Sequence, residues 1–128
     1  WNGIFGNNDG GSFIHFQLST SAVNVYYYGP NLACVSGNVI TSTSNYYHVV
    51  TTYDGSNAKI YVDGVEVQDT SNSSTANITS ASGVSVGKVY SSDRFFDGEI
   101  PVMKVYNRAL SADEIKENFQ AYRRRFNI

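Results

Sequence analysis

The stretch that most constrains this chain joins a strand pattern directly to a capped helix near the C-terminus. We predict a strand from Glu99 to Tyr106. Pro101 cannot donate a ladder hydrogen bond, so this strand is expected at a sheet edge or at a bulge. Ser111 is a suitable helix N-cap, and Glu114 three residues later completes a capping box.

The predicted helix carries one apolar side. Leu110 before the cap and Ile115 after it can close as a hydrophobic staple. Ile115, Phe119 and Tyr122 recur at helical spacing, so one stripe can lie on the sheet to which the strand belongs. A strand followed by a packed helix is therefore expected to close the fold.

Short strand patterns fill the rest of the chain. Asp63-Gly64 is a two-residue hairpin signal, because a type I′ turn needs positive φ at both positions. Residues 69–82 are almost all Ser, Thr, Asn and Ala, and we predict a long surface loop there. Strands are predicted at residues 1–5, 12–18, 22–28, 32–35, 38–42, 46–53, 58–62, 65–68 and 84–87. This pattern predicts an all-β, antiparallel two-sheet sandwich with a short C-terminal helix.

Three segments resemble the signatures of one family. Tyr106–Ser111 reads Tyr-Asn-Arg-Ala-Leu-Ser after a phenylalanine and a glycine, and Tyr47–Gly55 and Lys59–Gly64 lie upstream. In the order and spacing of these segments, the chain resembles the concanavalin A-like lectin/glucanase superfamily, in particular its laminin G-like and pentraxin-like domains. The resemblance implies a jelly-roll sandwich. Because one fold hosts many functions, it predicts the fold more closely than the function.

The domain boundaries follow from length and from the resemblance. The 128 residues are enough for one domain with its own core. Domains that the chain resembles have further strands before the segment that matches Trp1 to Phe5. We therefore expect residues 1–128 to be a single domain that forms the C-terminal part of a longer polypeptide. The alternative is that another chain completes the sheet.

Composition argues against two classes of partner. No apolar run reaches the length of a membrane span, so membrane insertion is not expected. Three basic and eight acidic residues precede Lys104, whereas six basic and three acidic residues follow from that position. The basic run 123–125 suits a solvated helix C-terminus, and nucleic acid is not an expected partner. Cys34 is the single cysteine, so no internal disulfide can form.

Catalysis would need carboxylates that the sequence does not place together. Hydrolytic members of the superfamily that the chain resembles use a Glu-x-Asp type arrangement on one strand, as retaining hydrolysis requires. Asp97 and Glu99 instead bracket a glycine, which suits a turn and a strand-edge charge. His15 and His48 have no metal-ligand partner at a familiar spacing. No enzymatic activity is therefore predicted.

Calcium is the metal for which the sequence leaves a case open. The resemblance to pentraxin-like domains implies a calcium site between a loop ahead of an early strand and the loop ahead of the closing signature. Asp9 matches the acidic position of the first loop, and Asp93 lies in the second. Lys88 occupies the place where acidic ligands should begin, although calcium needs several converging oxygens. A weak Ca²⁺ site using Asp9 and Asp93 remains a hypothesis.

A glycan site requires only aromatic faces with amide, carboxylate and guanidinium groups at the rim. Tyr26, Tyr27 and Tyr28 in a row put aromatic rings on both faces of one strand, so at least one should face outward. The alternative is that Tyr27 is a core residue and that the loops are ordinary turns. The predicted ligand-binding patch comprises Asn7, Asn8, Asp9, Tyr26, Tyr28, Tyr90, Asp93 and Arg94.

Together these observations favour a non-catalytic, lectin-like carbohydrate-binding module of a surface-exposed or virion protein, within a larger assembly. Residues 121–128 resemble the end of such modules in virion structural proteins of phages and large viruses, which implies a host-attachment or capsid-decorating role. The alternative is a purely structural domain that cements neighbouring subunits through apolar patches. The expected location is extracellular or at the virion surface.

Overall fold

The computed structural model describes residues 1–7, 15–19, 24–29, 32–72, 83–89 and 94–128. A six-stranded sheet has the order β8-β4-β3-β2-β1-β9, and a three-stranded sheet has the order β5-β6-β7. Strands β10 and β11 form a separate hairpin. The elements are β1 (Asn2–Asn7), β2 (His15–Leu18), β3 (Val25–Gly29), β4 (Leu32–Ser36), β5 (Val49–Tyr53), β6 (Ala58–Val62), β7 (Val65–Glu66), β8 (Gln68–Asn72), β9 (Val84–Val86), β10 (Lys88–Val89), β11 (Arg94–Phe95) and α1 (Ala112–Phe126). All pairings between these strands are antiparallel, which confirms the predicted all-β sandwich with a C-terminal helix.

The main core lies between the six-stranded and the three-stranded sheet. Alternation along β6 turns Ile60 towards this core and Tyr61 towards the helix. The thiol Sγ of Cys34 donates to the carbonyl oxygen of Ala58 at 3.6 Å, a contact that joins the two layers. The buried core residues are Ile4, Leu18, Val25, Tyr27, Cys34, Ile40, Ala58, Ile60 and Val62.

Helix α1 begins at the predicted cap. The Glu114 backbone N–H donates to Ser111 Oγ at 3.2 Å, and the Ser111 backbone N–H donates to Glu114 Oε2 at 2.9 Å. Leu110 and Ile115 are buried together with Tyr61 on the outer side of the three-stranded sheet. The hydrogen bond from Arg108 lowers the pKa of Glu114 to about 2. The capping box and the buried Leu110–Ile115 pair confirm the sequence prediction for this helix.

The predicted hairpin turn is also confirmed. Asp63 has a φ of 51° and Gly64 a φ of 79°, as a type I′ turn requires. Gly64 has a second reason to lack a side chain, because a Cβ there would lie 3.2 Å from the ring of Phe119. The turn between β6 and β7 thus lets the helix pack closely on the three-stranded sheet.

The largest difference from prediction lies in residues 97–107, which we call the connecting segment. It contains no strand, so the predicted strand from Glu99 to Tyr106 is wrong for this structure. No described hydrogen bond joins its backbone to another backbone. Pro101 has no N–H to contribute to a ladder, and among the described strands β5 pairs with β6.

Two other strand predictions also differ. Residues 38–42 form no strand; Ile40 instead buries its side chain in the core. Residues 69–72, predicted as part of a loop, belong to the edge strand β8, which pairs with β4. Polar residues suit this position because one side of an edge strand faces solvent. Residues 73–82, the rest of the predicted loop, lie outside the described residues.

Candidate functional site

A glycine at the start of the first strand prepares the candidate site. Gly3 lies opposite Gln17 on β2, and Gln17 lies opposite Tyr26 on β3. A Cβ at Gly3 would overlap the backbone nitrogen of Val89 and the carbonyl oxygen of Arg94. The absence of a side chain therefore lets the β10–β11 hairpin lie directly on the outer face of the six-stranded sheet.

The hairpin brings a guanidinium group onto a buried amide. Arg94 Nη1 donates to Gln17 Oε1 at 3.1 Å, and Gln17 is only 1% exposed. A hydrogen bond from a charged donor compensates for burying the amide, which would otherwise be costly. The contact fixes the position of the Arg94 side chain over the sheet.

An aromatic pair borders this guanidinium. The Arg94 guanidinium carbon lies 5.2 Å from the centroid of the Trp1 ring. The Trp1 ring meets the Tyr26 ring edge to face, with centroids 4.9 Å apart and an interplanar angle of 79°. Trp1 remains 40% exposed. We call Trp1, Gln17, Tyr26 and Arg94 the outer-face patch.

The structure divides the predicted site residues into two sets. Tyr26 and Arg94 meet in the outer-face patch, whereas Asn7 ends β1 opposite Val84. Asn7 is four residues from Gly3, about 13 Å along a strand. The backbone of Tyr28 lies opposite His15, towards the Asn7 end of the sheet. Four predicted residues lie outside the described part of the chain, namely Asn8, Asp9, Tyr90 and Asp93.

Sequence reasoning missed half of the outer-face patch. Trp1 is the only tryptophan of the chain, and its position at the start of a strand pattern was an available signal. Gln17 gave no such signal, because the sequence around it does not indicate that the β10–β11 hairpin covers it. Both residues became candidates only through contacts across the sequence, 77 residues apart in the case of Gln17 and Arg94.

The ionisable residues outside the patch form separate contacts. Glu66 pairs with Lys59 at 3.0 Å, and Glu99 accepts a hydrogen bond from the Tyr46 hydroxyl. His15 lies on the six-stranded sheet, whereas His48 immediately precedes β5 on the other layer. Burial lowers the pKa of His48, and the nearby Lys104 lowers it further.

A metal centre is not visible among the described residues, where no three His, Cys, Asp or Glu side chains come together. The suggested calcium ligands Asp9 and Asp93 lie outside these residues. Asp93 precedes Arg94 in the chain, and Asp9 follows Asn7 by two residues. Calcium binding therefore stays a prediction.

A cleft between the layers is the other concave feature. Its volume is about 820 Å³, and the connecting segment and strand β5 line one side. Phe16 and Tyr27 line the opposite side, on the inner face of the six-stranded sheet. Burial raises the pKa of Tyr27 to about 12, so its phenol stays protonated. Charged side chains also line the cleft on the side of the connecting segment, namely Asp97, Glu99 and Lys104.

Comparison with known proteins identifies the family. The profile of a laminin G-like family in the concanavalin A-like lectin/glucanase superfamily matches residues 1–116. The chain therefore belongs to this superfamily, as the sequence motifs predicted. Domains of the laminin G-like type are generally non-catalytic binding modules. A search of curated protein sequences gives no significant match.

One solved structure shares the fold. It is residues 221–444 of an S-layer domain-containing protein from Clostridium thermocellum, with 21% sequence identity and a TM-score of 0.54. The match covers 91% of this chain and 62% of that one, so this chain spans less than two thirds of its neighbour. Within the described residues, no helix is both long and apolar enough to cross a membrane.

Proposed function

We propose that this domain is a non-catalytic carbohydrate-binding module of a surface-exposed protein and that the outer-face patch belongs to its glycan site. The observation that carries the proposal is the environment of Trp1. Trp1 is 40% exposed, and its ring contacts the Tyr26 ring and lies beside the Arg94 guanidinium. Sugars present apolar CH faces and many hydroxyls, so an exposed aromatic ring beside fixed polar groups suits them.

The predicted loop residues extend the proposed site. Tyr90 and Asp93 lie in the link between β10 and β11, next in the chain to the residues that contact Gly3. Asn7 ends β1 four residues after Gly3, and Asn8 and Asp9 follow it in the chain, so we propose them together with Tyr28 as a second part of the site. A ligand that contacts both sets would have to span several sugar units, because one strand residue advances about 3.3 Å. This favours an oligosaccharide over a single sugar.

A glycan array with the full chain, run with and without calcium, tests the proposal. We expect saturable binding that weakens at least about tenfold in Trp1→Ala and in Arg94→Ala, as expected for residues at the centre of a site. Tyr106→Ala is the matched control, because Tyr106 is 43% exposed but lies in the connecting segment. Absence of binding by a folded sample would contradict the proposal, and so would equal loss in the control.

The site's wider extent and calcium can be separated in the same assay. Asp9→Ala should weaken the binding of long glycans more than that of short ones if the Asn7 end of the face takes part. Calcium-dependent binding that is lost in Asp9→Ala would support the suggested metal site. Binding unaffected by calcium chelation would remove calcium from the proposal.

A structural role is the second candidate, and one observation favours it. Val84 and Val86 on the edge strand β9 are 58% and 57% exposed, and Phe95 on the hairpin is 58% exposed. An apolar edge of this kind suits contact with a neighbouring subunit. In this role Val84→Asp would weaken assembly, while Trp1→Ala would leave it unchanged.

We further propose an extracellular or virion-surface location within a longer polypeptide. The S-layer domain-containing protein with the same fold is compatible with a surface setting, although at 21% identity it supports the fold alone. Host attachment is the more specific version of this proposal. Surface labelling of intact source cells or virions with an antibody against the domain would test it, and signal only after lysis would contradict it.

A further inference from the structure

The last turns of helix α1 carry a row of aromatic rings with cations on it. The Tyr122 and Phe126 ring centroids lie 6.2 Å apart, and the Tyr46 ring centroid lies 5.4 Å from that of Phe126. The Lys104 ammonium lies 5.0 Å from the Tyr122 ring centroid. The Arg125 guanidinium carbon lies 5.2 Å from the Phe126 ring centroid. We call Tyr46, Lys104, Tyr122, Arg125 and Phe126 the helix-end surface.

The two cations of the helix-end surface carry charge that is available to a partner. Lys104 and Arg125 are exposed, and the two ion pairs within the described part of the chain involve other residues. A cation stacked on a ring keeps its charge, and a stacked guanidinium keeps its in-plane N–H donors. A hydrogen bond to Tyr122 raises the pKa of Lys104, so its ammonium stays charged at neutral pH.

The helix dipole explains only part of this arrangement. Basic residues in the last turn are stabilised by the dipole, which accounts for residues 123–125. Lys104 lies outside the helix, in the connecting segment, and yet its ammonium joins the same aromatic row. Val105, which follows it, is 70% exposed, and Tyr46 is 39% exposed. Cations and exposed aromatic and apolar side chains therefore occur together here.

We propose that the helix-end surface docks on an anionic lipid bilayer, with Lys104 and Arg125 against the phosphate headgroups. Tyrosine rings favour the membrane–water interface, and basic side chains beside them are attracted to anionic lipids. The exposed Val105 side chain suits the boundary between headgroups and acyl chains. A soluble polyanion would satisfy the two cations but would leave Val105 in water. This docking does not involve the outer-face patch.

One acidic side chain that touches the helix-end surface gives the proposal a test in the opposite direction. Glu99 accepts a hydrogen bond from the Tyr46 hydroxyl, so its carboxylate lies beside the aromatic row. A carboxylate there repels an anionic bilayer. Glu99→Gln keeps an acceptor for Tyr46 but removes the charge, and it should therefore strengthen bilayer binding by up to about fivefold.

Vesicle sedimentation with the full chain tests the proposal directly. Vesicles of phosphatidylcholine with about 30% phosphatidylglycerol are compared with vesicles of phosphatidylcholine alone, because anionic lipid attracts each nearby cation. We expect the protein to sediment with the anionic vesicles at low salt and to be released at about 0.5 M salt, where charges are screened. Folded protein that stays in the supernatant at low salt, or that binds both kinds of vesicle equally, would overturn the proposal.

Charge-removing variants locate the contact. Lys104→Gln and Arg125→Gln should each weaken binding to the anionic vesicles about fivefold, the effect of one cation near the bilayer. Arg124→Gln is the matched control, because Arg124 lies two residues from both Tyr122 and Phe126, roughly 200° around the helix. Its removal should change binding less than about twofold. An equal loss in Arg124→Gln would overturn the assignment to the helix-end surface.

A soluble polyanion and the glycan array separate the remaining explanations. Binding to dextran sulfate without vesicle sedimentation would overturn the bilayer proposal in favour of a polyanionic polymer. Trp1→Ala should sediment with vesicles like the unmodified protein, because Trp1 belongs to the outer-face patch. Vesicle binding together with a failed glycan array would reject only the proposed function. Glycan binding without vesicle binding would reject only the bilayer proposal.

Discussion

The outer-face patch and the connecting segment pack on the sheets in different ways. At the outer-face patch, a hairpin lies so close to the six-stranded sheet that only glycine fits at position 3, and the buried amide of Gln17 has a charged donor. At the connecting segment, side chains contact the neighbouring layer, whereas no backbone–backbone hydrogen bond to the segment occurs within the described part of the chain. The comparison contrasts a hairpin packed backbone to backbone on a sheet with a segment that is held mainly by its side chains.

The largest expected loss of stability comes from a substitution beneath the hairpin, at Gly3. Gly3→Ala places a Cβ against the backbone of Val89 and Arg94, so the hairpin must move away from the sheet. Because backbone cannot yield as a side chain does, we expect the free energy of unfolding to fall by about 3 kcal/mol. Urea unfolding followed by circular dichroism would measure it.

Gly37→Ala is the matched control, because nothing lies within 4 Å of a Cβ at position 37. There the substitution should be neutral or slightly stabilising, by up to about 1 kcal/mol, since it mainly restricts the unfolded chain. Equal stability changes in the two variants would show that the hairpin does not lie against Gly3.

A smaller loss of stability is expected when the buried hydrogen bond of the outer-face patch is removed. Gln17→Leu removes the acceptor for Arg94, and we expect a loss of about 2 kcal/mol, because a charged donor is left without its buried partner. Gln120→Leu is the control: Gln120 also accepts from an arginine Nη1, that of Arg123 at 3.2 Å, but on the exposed helix surface. There the change should stay within about 0.5 kcal/mol.

Chemical denaturation of both glutamine variants would decide the point. A similar stability loss in both would mean that burial adds nothing to the Gln17 contact. If Gln17→Leu keeps its fold but loses glycan binding, the proposed site depends on the orientation that Gln17 gives to Arg94.

The comparison also explains which parts of the structure were predictable from sequence. The Ser111–Glu114 cap and the Asp63-Gly64 turn depend on residues a few positions apart, so local chemistry specifies them. The Gln17–Arg94 contact joins residues far apart in sequence, and the strand prediction for Glu99 to Tyr106 depended on a pairing partner that local sequence does not supply. Tyr26 and Arg94 were predicted site residues, but Trp1, which connects them, was not.

The pH dependence of stability tests the packing beside β5. The His48 ring lies 6.1 Å from the Phe119 ring and 6.4 Å from that of Tyr122, and its Nδ1 is buried without a hydrogen-bond partner. Burial, and then the charge of Lys104, lower its pKa below the usual 6.5, while Asp63 opposes the shift. The folded state therefore favours neutral His48, whereas the unfolded chain binds a proton more readily.

A histidine whose pKa is lowered on folding makes its full contribution to the free energy of unfolding above its unfolded-state pKa of 6.5. That contribution is lost as the pH falls from the unfolded-state pKa towards the folded-state pKa. We expect the free energy of unfolding to decline from pH 7 to pH 5, with a shallower decline in His48→Gln. Glu114 does not contribute in this window, because its pKa is about 2. Parallel pH profiles for both proteins would show that His48 does not titrate differently on folding.

The smallest expected loss of stability comes from removing a cation–π contact of the connecting segment. Lys104 lies over the Tyr122 ring at 5.0 Å, and Arg125 lies over the Phe126 ring at 5.2 Å, so both are cation–π contacts at the surface. Lys104→Ala and Arg125→Ala should each cost about 0.5 kcal/mol of global stability. Only Lys104 belongs to the segment, however, so only Lys104→Ala should change amide exchange between Val102 and Tyr106. Unchanged exchange in Lys104→Ala would show that the contact with Tyr122 does not hold the segment in place.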